Sequence, residues 1–274
     1  MRCERIYLIQ NDPEVYIDTY LADPLSSFTR KALLVIPGGG YGQVCADREG
    51  EPIAHAFLPY GYNTFVLHYS VKRRKPFPAQ LIEAAMAMKH IRDHAKEYGI
   101  DPAEIFAVGF SAGAHLAASL GTLWRHPAIR DAIDAPVGAI RPRGVMLIYP
   151  VISSDPAIAH KGSFCNLFCT DTPTQEQLDA VSLEKHVDAE SSPAYILHTV
   201  TDQLVPVENS LVLARAYTEA GVPYELHIFP DAPHGVALGN AITAGTTEKW
   251  NNPAIAEWVR MACAWADVLC RQPQ

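Results

Sequence analysis

The residue with the clearest capacity for chemistry is a serine that lies between two glycines. Residues 109–113 read Gly-Phe-Ser-Ala-Gly; the apolar run 105–108 precedes them, and an alanine- and leucine-rich stretch follows. This context predicts a strand, a sharp turn and a helix, an arrangement that projects the hydroxyl of Ser111 above the edge of a sheet. The glycines leave room for close backbone approach, and the free N–H groups at the start of the helix point toward the reacting centre. We interpret Ser111 as a nucleophile.

A serine hydroxyl is a weak nucleophile until a base takes its proton. When the nucleophile lies on such a turn, an acid and then a histidine are expected later in the chain. Asp202 follows the apolar run 194–200, and His234 follows the run 224–229. Each stands just past the carboxyl end of a predicted strand, where open α/β sheets build their sites. The sequence therefore predicts His234 as general base and Asp202 as the acid that orients its imidazole.

Other acids and histidines are weaker candidates for these two roles. Asp231 lies only three residues before the proposed base, and Asp188 precedes a predicted strand instead of following it. His198 lies inside a predicted strand, and His115 lies one turn into the helix that follows the serine. We interpret both histidines as structural residues.

Attack on an ester carbonyl gathers negative charge on its oxygen, so N–H donors must already point there. One expected donor is the backbone N–H of Ala112, directly after the nucleophile. The other is expected from the early glycine loop, where Gly39 and Gly40 are both candidates. Tyr41 and Phe110, which adjoin the loop and the serine, are the expected substrate contacts.

Strand-like and helix-like segments alternate along most of the chain, as their apolar periodicity and their terminating glycines indicate. The predicted strands are 14–20 (at a sheet edge), 32–36, 64–69, 105–110, 144–149, 194–200 and 224–229, and the predicted helices are 51–60, 79–98, 112–124, 209–220 and 253–269. Such alternation is typical of a mainly parallel sheet with helices on both faces.

Residues 151–192 break the alternation, because they are richer in serine, aspartate, threonine and proline. Only one short helical patch is predicted there, near 175–181. We interpret the segment as an excursion over the sheet that forms part of the substrate pocket, within a single domain spanning 1–274.

Composition limits the classes of partner. The chain has 274 residues, of which 49% are hydrophobic, so it can bury a sizeable core. A net charge of −8 gives no electrostatic footprint for nucleic acid and argues against an anionic membrane surface. The short basic cluster at 72–75 is interpreted as a solvated loop.

The sequence shows no pattern for a metal site or for export. Its six cysteines are scattered, and His90 and His94 lack the glutamate that a zinc protease needs beside them. We expect free thiols, no metal and no organic cofactor. Neither a secretory signal nor a membrane-spanning run is visible, so a soluble, cytoplasmic protein is expected. Oligomeric state stays open, because a single sequence does not distinguish an exposed apolar patch from core.

Several segments together resemble the bacterial esterase/lipase group of α/β-hydrolases that is described as acetyl-xylan esterase-like or acetyl esterase. The matching segments are 37–41 (PGGGY), 48–54 (REGEPIA), 109–117 (GFSAGAHLA), 202–210 (DQLVPVENS), 220–229 (AGVPYELHIF) and 233–235 (PHG). The resemblance covers about residues 31–265. It implies the α/β-hydrolase fold, a triad of Ser111, Asp202 and His234, and hydrolysis of short-acyl esters, above all acetyl groups on sugars or xylo-oligosaccharides. The sequence departs from the family at Ala114, where the family often has a second glycine. In the glycine loop, Pro37 stands where HGGG-type oxyanion loops have a histidine.

Two alternatives to a sugar acetyl esterase stay open. Another acyl hydrolase on the same fold, a formamidase or a small peptidase, would use the same triad, although peptidases of this fold usually carry an added domain. A non-catalytic binding protein would usually lack a triad member, and none is missing. The expected partner is a small ester, such as an acetylated oligosaccharide, because the excursion mixes aromatic and polar residues and no long apolar lid is predicted.

Overall fold

The chain folds around one sheet with helices on both sides. The structure, a computed structural model, describes residues 1–26, 28–136 and 138–271. In these residues the strands are β1 Arg5–Tyr7, β2 Tyr16–Tyr20, β3 Arg30–Ile36, β4 Tyr62–His68, β5 Ile100–Phe110, β6 Val145–Ile148, β7 Ala194–Thr199 and β8 Tyr224–Phe229. The α-helices are α1 Ala46–Glu49, α2 Glu51–Phe57, α3 Ala79–Asp93, α4 Ala95–Tyr98, α5 Ala112–Thr122, α6 Pro127–Ala132, α7 Lys161–Leu167, α8 Gln175–Ala180, α9 Glu208–Ala220, α10 Ala241–Ala244, α11 Pro253–Ala256 and α12 Trp258–Cys270. Short 3₁₀ turns span Leu58–Tyr60, Leu183–Lys185 and Glu248–Trp250.

The strands lie in the order β1-β2-β4-β3-β5-β6-β7-β8. The first two pairings, β1 with β2 and β2 with β4, are antiparallel. All pairings from β4 to β8 are parallel. The carboxyl ends of these six strands therefore meet at one edge of the sheet. This is the mainly parallel α/β-hydrolase sheet that the sequence predicts.

Core packing follows from the alternation of side chains along each strand. In β3, Leu33 and Val35 pack on one face with residues of α2 and α12, whereas Leu34 and Ile36 pack on the other face. That second face is covered by α3, α5 and α9. The prediction of helices on both faces is confirmed.

Some element boundaries differ from those predicted. The strand predicted at 14–20 is not at the edge, because the short, polar β1 lies outside β2. The helix predicted at 79–98 is interrupted at His94, whose backbone angles of φ −98° and ψ 16° depart from helical values. The excursion contains α7, which the sequence analysis missed because its glycine, serine and asparagine are poor helix formers.

The basic cluster at 72–75 is not simply a solvated loop. Arg74 and Lys75 both contact the carboxylate of Asp12, at 2.7 and 2.8 Å, and Arg73 contacts Asp171 at 2.6 Å. Within the described ranges, no helix combines the length and the apolar character that crossing a membrane requires.

Candidate active site

Ser111 lies on the turn between β5 and α5, with backbone angles of φ 54° and ψ −119°. A positive φ at a non-glycine residue is uncommon and marks a strained, sharp turn. The turn fits only because the glycines at 109 and 113 lack side chains. A Cβ on Gly113 would lie 2.2 Å from the carbonyl oxygen of Ile36, and one on Gly109 would lie 2.3 Å from that of Gly113. Gly113 therefore allows the turn to pack directly against the end of β3, and Gly109 allows β5 to approach the first turn of α5.

His234 and Asp202 come to this turn from loops that follow β8 and β7. His234 Nε2 lies 2.8 Å from Ser111 Oγ, and His234 Nδ1 lies 2.6 Å from Asp202 Oδ2. In the tautomer that fits these contacts, Nδ1–H donates to the carboxylate and Nε2 accepts from the hydroxyl. The structure thus brings together the three side chains that the sequence predicts, at distances suited to proton transfer.

Asp202 stays ionised although it is buried. Burial by itself raises the pKa of a carboxyl, but hydrogen bonds from His198 and His234 and from the backbone outweigh it and hold the pKa of Asp202 well below its usual range. The N–H groups of Leu204 and Val205 each donate to Asp202 Oδ1 at 2.9 Å. The carboxylate is therefore fixed in position as well as in charge.

The glycine loop lies beside the serine. Gly38 N–H donates to Glu49 Oε2 at 2.8 Å, so it is not available to a substrate. The N–H groups of Gly39 and Gly40 donate to no acceptor in the part of the chain that the structure describes, and both residues have positive φ, 122° and 62°. Ala112 is the first residue of α5, where backbone N–H groups have no partner within the helix. Gly39 and Gly40 share a cavity with Ser111, and Ala112 directly follows the serine, so all three stay candidate oxyanion donors.

A cavity of about 360 Å³ opens over Ser111 and His234. Its walls also include Gly39, Gly40, Gln43, Cys45, Arg48, Glu49, His160, Gly162, Asn166 and Leu204. Three of these residues, from 160 to 166, come from the excursion. Part of the excursion thus lines the cavity that holds Ser111 and His234.

Tyr41 and Phe110 do not line this cavity. Tyr41 is buried, and its hydroxyl lies 2.8 Å from Nδ1 of His115. Phe110 is fully buried in the core, where it packs against Tyr149 and Trp258. These positions correct the expectation that the two side chains contact the substrate, because alternation along β5 turns Phe110 into the core below the serine.

Comparison with known proteins agrees with this geometry. The BD-FAE family model matches residues 17–217, most of the chain. The chain belongs to the BD-FAE family.

Several proteins of known name are similar to this BD-FAE chain. It is 37% identical over 214 residues to an endo-1,4-beta-xylanase B of Butyrivibrio fibrisolvens, covering 77% of this chain and 33% of that protein. It is 29% identical over 213 residues to an acetylxylan esterase of Xylanibacter ruminicola, covering 76% of this chain and 42% of that protein. The chain therefore spans about two fifths or less of the length of these two relatives.

A solved structure resembles the chain along almost its whole length. The acetyl ester-xyloside bifunctional hydrolase of Caldicellulosiruptor lactoaceticus superimposes with a TM-score of 0.83 at 33% identity, covering 98% of this chain and 97% of that one. The likeness includes the sheet and both helical layers, so the fold of this BD-FAE member is that of the solved hydrolase.

A buried carboxyl that no sequence pattern indicated lies beside the serine of this BD-FAE chain. Glu49 is 2% exposed; its Oε2 accepts from Gly38 N–H and its Oε1 accepts from Tyr149 O–H, each at 2.8 Å. Burial raises the pKa of the Glu49 carboxyl, against the opposing effect of these donors. Tyr149 packs its ring on His234, with centroids 4.9 Å apart, and accepts a hydrogen bond from Ala237 N–H. Glu49 therefore joins the glycine loop to the loop that carries His234.

Two polar residues of the excursion also approach the glycine loop. Asn166 Nδ2 donates to the carbonyl of Gly40 at 2.9 Å, and a Cβ on Gly40 would lie 3.7 Å from His160 Cε1. His160 Nδ1 in turn contacts Ser163 Oγ at 2.8 Å. Burial, helped by the proximity of His234, lowers the pKa of His160. Only the polarity of Ser163 and Asn166 hinted at this wall, because no spacing in a single sequence connects residues near 160 with the loop near 40.

The rival candidates lie in structural roles. His115 is buried between Tyr41 and the carbonyl of Val181, and Asp231 accepts a hydrogen bond from Thr201 Oγ1 at 2.7 Å. Asp188 forms an ion pair with Arg125. Among the residues that the structure describes, no group of three or more His, Cys, Asp or Glu side chains is arranged to hold a metal ion.

Proposed function

We propose that this protein is a serine carboxylesterase that removes short acyl groups, above all acetyl, from sugars or xylo-oligosaccharides through an acyl-enzyme. The observation that carries the proposal is the chain of two hydrogen bonds from Ser111 to His234 and from His234 to Asp202, at 2.8 and 2.6 Å, at the base of an open cavity. Ester hydrolysis on this fold needs that arrangement and no bound metal.

The first half-reaction transfers the acyl group to the serine. Ser111 Oγ attacks the ester carbonyl while its proton passes to His234 Nε2, and the negative charge on the carbonyl oxygen meets the N–H of Ala112 and one from Gly39 or Gly40. When the tetrahedral intermediate collapses, the ester C–O bond breaks. His234 gives its proton to the departing alcohol.

The second half-reaction releases the acid. A water molecule gives a proton to His234 Nε2 and attacks the acyl-serine through the same oxyanion site. Collapse of this second intermediate returns the proton to Ser111 Oγ and frees the carboxylic acid. Asp202, ionised throughout because of its depressed pKa, stabilises each imidazolium that forms.

The named relatives support a sugar ester as substrate. One of them is named an acetylxylan esterase, another an endo-1,4-beta-xylanase, and the solved structure an acetyl ester-xyloside bifunctional hydrolase. The cavity walls agree with this class, since His160 and Asn166 offer polar groups close to the serine.

A panel of substrates tests the proposal on the purified protein. The expected result is fast hydrolysis of p-nitrophenyl acetate, slower hydrolysis as the acyl chain lengthens to octanoate, and release of acetate from acetylated xylo-oligosaccharides. Preference for octanoate, or for the anilide p-nitroacetanilide over the acetate ester, would contradict it.

The single-domain organisation, the cytoplasmic location and the absence of nucleic-acid or membrane partners stay predictions from the sequence.

A further inference from the structure

A second cavity, of about 560 Å³, opens beside the cavity that holds Ser111 and His234. Gln43, Cys45 and Arg48 line both, so the two cavities adjoin along these three residues. We call the second cavity the polar groove; its far wall is built by the segment 242–247 and by Trp250. Each cavity falls in the size range of small-ligand sites, and together they exceed what an acetyl group and one sugar ring require.

The wall of the polar groove carries groups that recognise hydroxyls. Thr246 and Thr247 are exposed, and their hydroxyls have no partner in the part of the chain that the structure describes. The side chains of Gln43, Asp47 and Arg48 add amide, carboxylate and guanidinium groups. Donors and acceptors of both kinds are what a polyhydroxylated ligand uses, because each sugar hydroxyl both donates and accepts.

The polar groove lies beside the loop that carries His234. Trp250 Nε1 donates to the carbonyl of His234 at 3.0 Å, and the Arg48 guanidinium stacks over the Trp250 ring at 4.2 Å. Arg48 also lies against Gly235, the residue after the base, where a Cβ would be 3.1 Å from Nη2. Because His234 must protonate the departing alcohol, the alcohol half of the ester lies toward this wall.

We infer that the polar groove binds the sugar units that adjoin the acetylated one, so that the enzyme acts on acetylated oligosaccharides in preference to acetylated monosaccharides. This inference rests on the proposed esterase function and specifies the alcohol half of its substrate. Binding of the remote units stabilises the transition state without touching the reacting atoms, and therefore raises kcat/KM.

The test compares acetate release from mono-acetylated xylose and from mono-acetylated xylotriose. The wild type is expected to show a kcat/KM about tenfold or more higher on the trisaccharide. Thr247→Tyr fills the polar groove and is expected to bring this ratio near one. Thr247 is exposed and its side chain does not cap the turn that follows, so the substitution spares the fold. Thr246→Tyr provides a second variant with the same expectation.

Thr172→Tyr is the matched control, since Thr172 is an exposed threonine that lines neither cavity. It is expected to keep the wild-type ratio. A wild-type ratio near one, or an unchanged ratio in both groove variants, overturns the inference while acetate release from the two sugars leaves the esterase proposal standing. Failure of the wild type to release acetate from either sugar overturns both.

Discussion

Asp202 is only 5% exposed, and backbone and imidazole N–H groups donate to both oxygens of its carboxylate. These donors stabilise the negative charge in place of water. One of them, His234 Nδ1–H, gives the imidazole its tautomer and leaves Nε2 free to accept the serine proton. An asparagine amide of the same shape would hold the opposite tautomer.

We therefore expect Asp202→Asn to lower kcat by about 10³- to 10⁴-fold on p-nitrophenyl acetate, with little change in unfolding temperature. Asp231→Asn is the matched control, because Asp231 is exposed and bonds Thr201 at a distance from the serine. The control is expected to stay within about twofold of wild type. Steady-state kinetics on the two variants measure both values, and a larger loss in Asp231→Asn would reassign the acid.

Glu49 acts on the reaction indirectly, through the groups that donate hydrogen bonds to it. It accepts hydrogen bonds from two donors, Gly38 N–H and Tyr149 O–H, whereas a glutamine has one acceptor oxygen and an amide that donates. Glu49→Gln therefore loosens either the glycine loop or the support of His234.

We expect Glu49→Gln to lower kcat on p-nitrophenyl acetate by about tenfold while KM changes little, since misplaced oxyanion donors weaken the transition state more than substrate binding. Glu51→Gln, at an exposed glutamate of α2, is the control. A rise in KM at unchanged kcat would show instead that Glu49 serves ground-state binding.

Among the elements, helix α5, the glycine loop and the excursion meet at one buried imidazole. His115 Nε2–H donates to the carbonyl of Val181, and Nδ1 accepts from the hydroxyl of Tyr41, both at 2.8 Å. These partners require the neutral ring, and burial lowers the pKa of His115 to about 4.

This pKa predicts how stability changes with pH. In the unfolded chain His115 takes up a proton near pH 6.5, whereas in the folded protein it stays neutral until about pH 4. Stability is therefore lost as pH falls through this window, by up to roughly 3 kcal/mol. Denaturant unfolding between pH 7 and pH 4 is expected to show a steeper loss in wild type than in His115→Gln, and equal slopes would contradict this assignment.

At the same scale, the sequence predicted the elements that carry the site better than those that cover it. The segment 105–110 is fully buried and leads into the turn between Gly109 and Gly113, so the apolar pattern and the turn residues agree. β1 has three residues and α7 contains Gly162 and Asn166, so neither has a periodic signal, and both form because tertiary contacts hold them. The position of Glu49 could not be predicted for another reason, because no spacing in the sequence marks a carboxylate whose hydrogen-bond partners lie 11 and 100 residues away.

For the whole molecule, the site exists because one sheet collects residues from distant parts of the chain. Ser111, Asp202 and His234 each follow a parallel strand, and the parallel pairing aligns the ends of β5, β7 and β8 at one edge. Their order in the chain and this topology were predictable. The exact wall of the cavity was not, since the path of the excursion depends on packing.

Asp12 ties the antiparallel end of the molecule to the parallel part. It binds Arg74 and Lys75, in the loop between β4 and α3. The hydrogen bond from Lys75, which outweighs burial, and that from Arg74 lower the pKa of Asp12 to about 2. A depressed carboxyl pKa contributes stability above the unfolded value near 3.9, and this stability is lost as pH falls toward 2.

We expect Asp12→Asn to lower the free energy of unfolding at pH 7 by about 1–3 kcal/mol, because it removes the carboxylate that Arg74 and Lys75 share and leaves them only their contacts with Glu14 and Glu83. Asp171→Asn, in the exposed pair with Arg73, is expected to cost under about 1 kcal/mol. Denaturant titrations at pH 7 and pH 3 measure both. If Asp12→Asn costs no more than Asp171→Asn at pH 7, the anchoring role is wrong.

The most direct test of the account is covalent labelling of the nucleophile. A fluorophosphonate probe reacts with a serine only when a neighbouring base activates it. If Ser111 is the activated nucleophile, we expect stoichiometric labelling of the wild type at this residue, located by peptide mass spectrometry. Ser111→Ala is expected to lose both the label and the hydrolysis of p-nitrophenyl acetate. Labelling at another residue, or wild-type hydrolysis by Ser111→Ala, would contradict it.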